Sequence, residues 1–391
     1  MQLYRHNLER VPYPFMIFSS FTVVELASVL AGPSVGQFFA ELGARVIKIE
    51  NKTTGGDVTR TWKSTSETTG DRSGYFCSVN WGKKSIALDL REPADRAVAY
   101  GLMRKADVVI ASYKPGDAQK LGMDYETLRA VNPALVYGNV TGYGEDTDRV
   151  GYDAVVQAES GFMDLNGEKG GAPLKMPVAL MDVLAAHQLK EGILLALLQR
   201  QATGSGAHVT VSLIQTALSS LVNQASNYLV GGHVPVRQGS QHPNIAPYGD
   251  VFTTQDHRPL LLAVGSDRQF FQLVKILGLT FTPEDHVLFG TNEKRVQNRT
   301  ALAALLAPVI QHQPADLLLA KLHQQKIPAG IIQTVPQALA LHEAQALFLQ
   351  SDSFTGLRGF VAEVSGIGRA PLSPPPRLGE HTEEIKREVL G

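Results

Sequence analysis

The residue whose surroundings best suit it to chemistry is Asp182, within the stretch KMPVALMDVLAAHQLKEGILLALL. Apolar residues flank it on both sides, and a long run rich in alanine and leucine follows. Taken alone, these residues favour an ordinary helix N-cap, a common use of aspartate. The alternative is a partly dehydrated carboxylate at a helix N-terminus. Burial raises the pKa of such a group, the helix dipole keeps it ionised, and it can act as a covalent nucleophile.

A second stretch, residues 30–50, reads LAGPSVGQFFAELGARVIKIE and has the outline of a dinucleotide-binding unit. An NAD-dependent dehydrogenase is therefore an alternative. However, Gly32 and Gly36 do not form the G-x-G-x-x-G pattern, and Pro33 removes a backbone N–H that would face a pyrophosphate. Glu50 stands where a ribose-binding acid would stand. Without the glycines, we expect Glu50 to be a solvent-facing strand end.

Other catalytic and metal-binding patterns are missing from the sequence. There is no P-loop and no H-E-x-x-H motif, and the single cysteine, Cys77, cannot form a cysteine pair for zinc. Lys83 and Lys84 form a short basic pair before a strand, and we expect both to be solvated. No metal site is predicted.

Composition limits the class of protein. The chain has 391 residues and a net charge of −1, so no bulk charge draws it toward nucleic acid or an anionic membrane. A lone cysteine is typical of a reducing cytoplasm. No apolar run reaches the length of about 18 residues expected of a membrane span. We interpret residues 1–20 as an N-terminal extension.

Strands alternate with helices through the first half of the chain, which predicts an α/β domain with a mostly parallel sheet. Short β-branched runs such as RVIKIE and DVVIA mark the strands. We expect a large α/β domain over residues 21–228, then a linker and a smaller α+β domain over 229–329. Strand patterns such as Val361–Val364 predict that residues 330–391 return to the large domain.

The chain resembles the class III CoA-transferases, which include carnitine CoA-transferase and formyl-CoA transferase. The resemblance runs from about residue 21 to 383 in collinear order. The stretches that carry it are VVELASVLAGPSVGQFFAELGARVIKIE, GDVTRTW, YFCSVNWGKKSIALDL, ADVVIASYKPG, LGMDYETLRAVNPALVYGNVTGYG, GYDAVVQAESGFM, the Asp182 segment, TGSGAHVTVSL, HPNIAPY, AVGSDRQF, KIPAG and LGEHT.

This resemblance implies a mechanism. The family's catalytic aspartate falls on Asp182. It attacks an acyl-CoA thioester to give an aspartyl–acyl anhydride, an aspartyl–CoA thioester follows, and a carboxylic acid acceptor becomes the new acyl-CoA. Coenzyme A enters as part of the substrate, and no permanently bound cofactor is expected. The resemblance also implies that the large domain is Rossmann-like and CoA-binding and that two chains form an interlocked homodimer. Small molecules are the other expected partners, and neither nucleic acid nor a membrane is expected.

Family positions around CoA can be carried over one by one. Trp62 and Tyr143 match aromatic positions near the acyl group of formyl-CoA transferase. Lys120 stands where the family often has arginine, so it keeps the charge but loses the bidentate geometry. Asn51 is neutral where arginine can occur, and Leu30 replaces a glutamine of formyl-CoA transferase, which puts oxalate specificity in doubt. The full set implied for CoA is Ser28, Val29, Leu30, Ala31, Asn51, Gly74, Ser112, Tyr113 and Lys120.

The nearest rival function is α-methylacyl-CoA racemase, which shares the fold. Racemases use a histidine in a G-H-D motif as one base, whereas this chain has Gly151, Tyr152 and Asp153. Tyrosine, with a pKa of about 10, is a poor base at neutral pH. A non-catalytic CoA-binding protein is a further alternative, and the retained Asp182 argues against it.

Overall fold

The computed structural model describes residues 15–391. The first part of the chain forms β1 (Thr22–Glu25), α1 (Ala31–Glu41), β2 (Arg45–Asn51), α2 (Gly74–Cys77), β3 (Lys83–Leu88), α3 (Pro93–Met103), β4 (Val108–Ala111), α4 (Asp117–Leu121), α5 (Tyr125–Val131), β5 (Val136–Thr141), α6 (Asp153–Glu159), α7 (Phe162–Leu165), α8 (Leu180–Thr203), β6 (Ala207–Ser212), α9 (Leu213–Ser219) and α10 (Val222–Gly231).

The remainder forms β7 (Tyr248–Thr253), β8 (Pro259–Ala263), α11 (Asp267–Ile276), α12 (Pro283–Phe289), α13 (Asn292–Gln297), α14 (Arg299–Gln311), α15 (Ala315–Gln324), β9 (Ala329–Ile331), α16 (Val335–Leu339), β10 (Phe348–Gln350), β11 (Thr355–Leu357) and α17 (Thr382–Leu390). Two 3₁₀ helices cover Val58–Thr61 and His342–Leu347.

The chain divides into two compact units. The first comprises the chain up to Phe162, Lys175–Ser226 and Ala346–Gly391, and the second comprises Met163–Leu174 and Asn227–Gln345. The C-terminal segment therefore rejoins the first unit at residue 346, later than the 330 expected from sequence. The second unit also takes in Met163–Leu174, a segment that the sequence analysis placed in the large domain.

The first unit is built on a six-stranded parallel sheet in the order β3-β2-β1-β4-β5-β6. This confirms the predicted α/β fold with a parallel sheet. Successive residues of β1 point to opposite faces: Val23 packs in the core on the side of α1 and α8, and Val24 packs in the core on the side of α3 and α17. Because both faces are covered, the strands read as nearly continuous apolar runs, which is why the sequence revealed them.

The glycines of the first βα turn serve helix–strand packing. A Cβ on Gly32 would lie 2.3 Å from the Cβ of Ala27, and one on Gly36 would lie 2.0 Å from a carboxylate oxygen of Glu25. Both positions therefore need glycine so that α1 can lie close against β1. The positions of these two glycines are therefore explained by helix–strand packing, and not by the G-x-G-x-x-G pattern of a dinucleotide site.

Two charged residues predicted to be solvated are buried, and both predictions are wrong. Glu50 is 3% exposed and accepts two hydrogen bonds from the Arg60 guanidinium, at 2.8 and 2.7 Å. Lys83 is 1% exposed and its ammonium lies 2.7 Å from Glu25. Its neighbour Lys84 is half-buried and forms an ion pair with Glu384 near the surface.

The second unit has its own core. A three-stranded antiparallel sheet, β7-β8-β9, packs with α11, α14 and α15 around a cluster that includes Leu260, Phe270 and Leu306. Two of its helices, α13 and α14, meet at Asn298.

The ends of the first unit differ from the sequence-based expectations. The predicted strand Val361–Val364 is irregular backbone. Residues 1–14 of the predicted extension lie outside the described residues, whereas Phe18 is 7% exposed and packs against Phe21 and Phe39. The segment from Phe15 to Ser20 is thus part of the first unit.

In the described part of the chain, no single helix is long and apolar enough to cross a membrane. Only the pair α14 and α15, bent by 115°, reaches that length and composition together.

Candidate active site

A cavity of about 300 Å³ lies at the carboxyl ends of β1, β4 and β5 in the first unit. The strand order reverses between β1 and β4, the place where open parallel sheets bind their ligands. Six of the residues expected to contact CoA or to react line this one cavity. They are Ser28, Val29, Ala31, Ser112, Tyr113 and Asp182.

Asp182 lies in the first turn of α8, whose N-cap residue is Ala179. The interpretation of Asp182 as the N-cap is therefore wrong. The side chain is 9% exposed, and among residues 15–391 no hydrogen bond to its carboxylate is found. A carboxylate buried at a cavity wall without a donor is held for a purpose other than helix capping.

A second acid, Asp153, stands beside this helix end. One Asp153 carboxylate oxygen accepts a hydrogen bond from the backbone N–H of Met181 at 2.8 Å, and the other accepts one from the Gln157 amide at 2.6 Å. Asp153 thus fixes the first turn of α8 next to Asp182. Gly151 and Tyr152, the residues before it, also line the cavity.

These surroundings change the acidity of Asp182. Burial, followed by the negative charge of Asp153, raises the pKa of the Asp182 carboxyl to about 7. The N-terminal dipole of α8 acts in the opposite direction by favouring the anion. The carboxylate is therefore more basic than an ordinary aspartate, which makes it a better nucleophile once ionised.

Asn51 lies at a second cavity of about 230 Å³, formed by residues of β2, β3 and the turn that follows β3. Tyr113 lines both this cavity and the one that contains Asp182. Arg91 also lines the second cavity, with its side chain 66% exposed and paired with Asp89. The neutral Asn51 is thus accompanied by a cation that sequence reasoning missed.

The remaining residues expected at the CoA site lie elsewhere in the first unit. Leu30 is half-buried at the N-cap of α1, between two residues that line the main cavity. The Gly74 N–H donates to the Glu67 carboxylate. Lys120 is exposed and paired with Asp117 at 2.9 Å. None of these three lines either cavity.

The two aromatic residues expected near the acyl group also lie outside the cavity lining. Trp62 is 41% exposed and packs edge-to-face on Tyr75. The Tyr143 hydroxyl donates to Glu159 at 2.7 Å, and the Arg149 guanidinium lies 4.0 Å from the Tyr143 ring centre. Arg149 lines the cavity, so Tyr143 lies next to the site, in contact with a residue of the cavity wall.

Sequence reasoning overlooked three charged residues of this cavity, namely Lys114, Arg149 and Asp153. Asp153 could have been predicted from the sequence, since it follows the Gly151-Tyr152 pair that was compared with the racemase motif. Lys114 lies inside the ASYKPG stretch, next to two predicted residues. No sequence pattern pointed to Arg149, because it follows an irregular acidic loop.

No cluster of three or more histidine, cysteine or acidic side chains that could hold a metal is found within residues 15–391.

Comparison with known proteins agrees with this fold. The model of the family described as CoA-transferase family III matches residues 18–382. Succinate–glutarate CoA-transferase of Agrobacterium fabrum is 37% identical over 386 residues, 95% of each chain. Acetyl-CoA:oxalate CoA-transferase of Acetobacter aceti is 34% identical and covers 95% of each chain. The crystal structure of a CaiB/BaiF family protein from Brucella suis superposes with a TM-score of 0.84 at 38% identity, covering 95% of this chain and 98% of that one.

An α/β fold with a cavity at the switch point of its parallel sheet is the arrangement in which Rossmann-like proteins bind their ligands. The family match over nearly the whole length makes the class definite. The chain belongs to CoA-transferase family III, a family of enzymes that use CoA thioesters as substrates.

Proposed function

We propose that this enzyme moves CoA from an acyl-CoA donor to a carboxylic acid through covalent intermediates on Asp182. The observation that carries the proposal is the Asp182 carboxylate itself. It is buried, lines the cavity at the sheet's switch point, and has no hydrogen-bond donor among the described residues. Such a group is free to attack a carbonyl carbon.

The steps balance without any added reagent. An Asp182 oxygen attacks the thioester carbonyl, the C–S bond breaks, and an aspartyl–acyl anhydride and CoA thiolate form. The thiolate attacks the Asp182 carbonyl carbon, which releases the donor acid and leaves an aspartyl–CoA thioester. The acceptor carboxylate attacks the carbonyl carbon of the aspartyl–CoA thioester, the C–S bond breaks, and a second anhydride and CoA thiolate form. The thiolate then attacks the acceptor's carbonyl carbon in that anhydride, which gives the new acyl-CoA and returns Asp182 as a carboxylate. The anhydride survives only where the bound substrate keeps water away from it.

The two cavities suit an extended CoA molecule. We place the thioester beside Asp182 and the remainder of CoA past Tyr113 toward Asn51 and Arg91. Arg91 supplies the phosphate charge that Asn51 lacks, since guanidinium groups match phosphate oxygens. Ser112 and the turn that contains Ser28 and Val29 form the wall between these two ends.

We infer that the carboxylic acids are small dicarboxylates. Arg149 and Lys114 place two cations at the Asp182 cavity, where a second carboxylate of the substrate could pair with them. Relatives whose names state glutarate, succinate or oxalate support the same class. A panel of acyl-CoA donors with mono- and dicarboxylate acceptors, analysed by mass spectrometry, tests this. Equal turnover with monocarboxylates would contradict it.

The rival racemase activity is tested in the same panel. Tyr152 is 59% exposed at the cavity and stands where racemases have histidine. We expect no exchange of the α-proton with deuterated water in the absence of an acceptor acid. Exchange at a rate comparable to transfer would favour the racemase.

The pH dependence of turnover provides a prediction for Asp182 and Asp153. Only the ionised Asp182 can attack, and burial and the Asp153 charge raise its pKa to about 7. We therefore expect kcat/KM to fall as pH decreases through about 7. In Asp153→Asn the charge is lost while a carbonyl oxygen remains for the Met181 N–H, so the inflection moves to lower pH. The shift is partial because burial persists.

The matched control is Glu126→Gln, an exposed acid whose side chain is 75% accessible. It should leave the pH–rate profile unchanged. If the pH–rate profile of Asp153→Asn coincides with that of the wild type, the charge of Asp153 does not raise the pKa of Asp182.

We propose that the enzyme is a homodimer with interlocked chains, in the reducing cytoplasm that its lone cysteine favours. Leu195 and Leu198, on one face of α8, are 67% and 62% exposed, and Leu218 on α9 is 50% exposed. Monomeric proteins rarely leave such neighbouring leucines uncovered.

Two measurements test the dimer. Sedimentation should give twice the 42.3 kDa chain mass. Tagged and untagged dimers should exchange chains only after denaturation, because interlocked chains cannot separate while folded. Rapid exchange between folded dimers would rule out interlocking but not dimerisation.

A further inference from the structure

Four charged side chains are buried together beneath the turn between β1 and α1. They are Glu25, Lys48, Asp57 and Lys83, each at most 2% exposed. Lys48 lies 2.8 Å from Glu25 and 3.0 Å from Asp57, and Lys83 lies 2.7 Å from Glu25. The two positive and two negative charges balance, and we call this set the buried charge cluster.

Three members of the buried charge cluster bind the backbone of the turn directly. The Lys48 ammonium donates to the Ala27 carbonyl at 2.7 Å, and the Lys83 ammonium donates to the Pro33 carbonyl at 2.8 Å. Between these points, an Asp57 carboxylate oxygen accepts the Val29 N–H at 3.3 Å. The turn is thus held at both ends and at its middle.

Val29, at the middle of the turn, has a backbone φ of 73°. A β-branched residue is rarely found in this left-handed region because its side chain collides with its own backbone. Such a conformation persists only where surrounding contacts impose it, and it concentrates at functional sites. Val29 lines the cavity that contains Asp182.

Asp57 is also tied to the same cavity by its own segment. It caps the 3₁₀ helix Val58–Thr61 by accepting the Thr59 N–H at 3.0 Å, and Val58 lines the cavity. One carboxylate therefore fixes two separate parts of the cavity wall. Burying charges is seldom the most stable choice, since well-packed apolar residues usually serve stability equally well.

We propose that Asp57, held by Lys48, is a positioning residue that clamps Val29 in its left-handed conformation and so fixes the cavity wall beside Asp182. In this proposal the cavity wall contacts the reacting end of the substrate. Loss of the clamp should therefore lower kcat more than it raises KM. This inference rests on the proposed role of Asp182 and extends it.

The test combines Asp57→Ala with Val29→Gly. The alanine removes the carboxylate oxygen that accepts the Val29 N–H, and the strained Val29 is then free to leave its conformation. We expect kcat to fall by about 10- to 100-fold with KM within about threefold of wild type. Glycine adopts a φ of 73° without strain, so the double variant should regain at least about tenfold in kcat.

A purely structural role for Asp57 predicts a different pattern. It would lower the melting temperature, and Val29→Gly would not restore turnover. A double variant no faster than Asp57→Ala, or an Asp57→Ala enzyme as fast as wild type, overturns the clamp. The matched control is Asp250→Ala, at another buried acid, 4% exposed, in the second unit. It should change stability and leave kcat unaltered.

A second pair keeps the test decisive if Asp57→Ala does not fold. Val29→Gly should retain at least about tenfold more kcat than Val29→Pro, because glycine adopts a φ of 73° whereas proline fixes φ at about −65° and has no N–H to donate. Equal activity in both would overturn the clamp. Borohydride trapping separates this result from the Asp182 mechanism: a wild-type enzyme that traps nothing at Asp182 contradicts that mechanism while the Val29 comparison still stands.

Discussion

Replacement of Asp182 by asparagine is expected to lower kcat by at least about four orders of magnitude, since it removes the nucleophile. Glutamate at the same position keeps the carboxylate but displaces it by one methylene. We expect that variant to lose about 100-fold, the usual consequence of a misplacement of about 1 Å at a reacting group. Binding of CoA, followed by thermal shift, should persist in both variants because Asp182 is assigned to the chemistry.

Trapping makes this expectation specific. Wild-type enzyme incubated with acyl-CoA and then treated with hydroxylamine or borohydride should carry a modified Asp182 in the mapped peptide, and the asparagine variant should carry none. An acceptor acid labelled with heavy oxygen in its carboxylate should transfer one labelled oxygen to Asp182, because that oxygen bridges the second anhydride. Turnover that survives Asp182→Asn, or label found on another residue, would refute the mechanism.

The same substitution should stabilise the protein in a pH-dependent manner. The folded-state pKa of Asp182 is raised from 3.8 to about 7. The folded state therefore holds the proton more tightly, and the wild type loses stability as pH rises from about 4 through about 7. Above about pH 7, Asp182→Asn should melt at a higher temperature than wild type, by an amount corresponding to at most a few kcal/mol. Below about pH 4 the two should melt alike.

The largest expected effect on stability comes from Arg60. Its guanidinium is 3% exposed, binds both carboxylate oxygens of Glu50, donates to the Pro376 carbonyl at 3.1 Å and lies 3.8 Å from the Phe76 ring centre. Burial alone would raise the pKa of Glu50, but the hydrogen bonds from Arg60 and Ser85 and the charges of Lys48 and Arg60 together outweigh it and hold that pKa below its usual value. Arg60→Met leaves the Glu50 charge buried without its partner, which costs about 3–5 kcal/mol.

A double-mutant cycle in chemical denaturation measures this. Glu50→Gln combined with Arg60→Met removes the unpaired charge, so part of the loss should be recovered. The control, Arg129→Met, breaks an exposed pair with Glu126 and should cost at most about 1 kcal/mol. If Arg60→Met were no more destabilising than Arg129→Met, the buried pair would not support the fold.

The conformation of Val29 shows how local sequence and tertiary structure divide their roles. Nothing in the residues around Val29 predicts a left-handed backbone, because its cause is an Asp57 carboxylate 28 residues later in the chain. Likewise, Glu50 and Lys83 looked like surface charges because their partners, Arg60 and Glu25, are brought to them by folding. Charge burial depends on what neighbouring strands supply, and a linear sequence does not display that.

The sequence by itself determined the alternation of strands and helices, the parallel sheet and the enzyme family. Apolar runs such as those of β2 and β4 reveal strands because both faces of the sheet are covered, and collinear motifs carry the family resemblance. Only the tertiary structure decided which predicted residues share a cavity, that Asp153 stands beside Asp182, and that Lys120 and Trp62 lie outside the cavity lining. The reason is physical: strand patterns are local, whereas the acidity and the neighbours of a carboxylate are set by chain segments that meet at the sheet's edge.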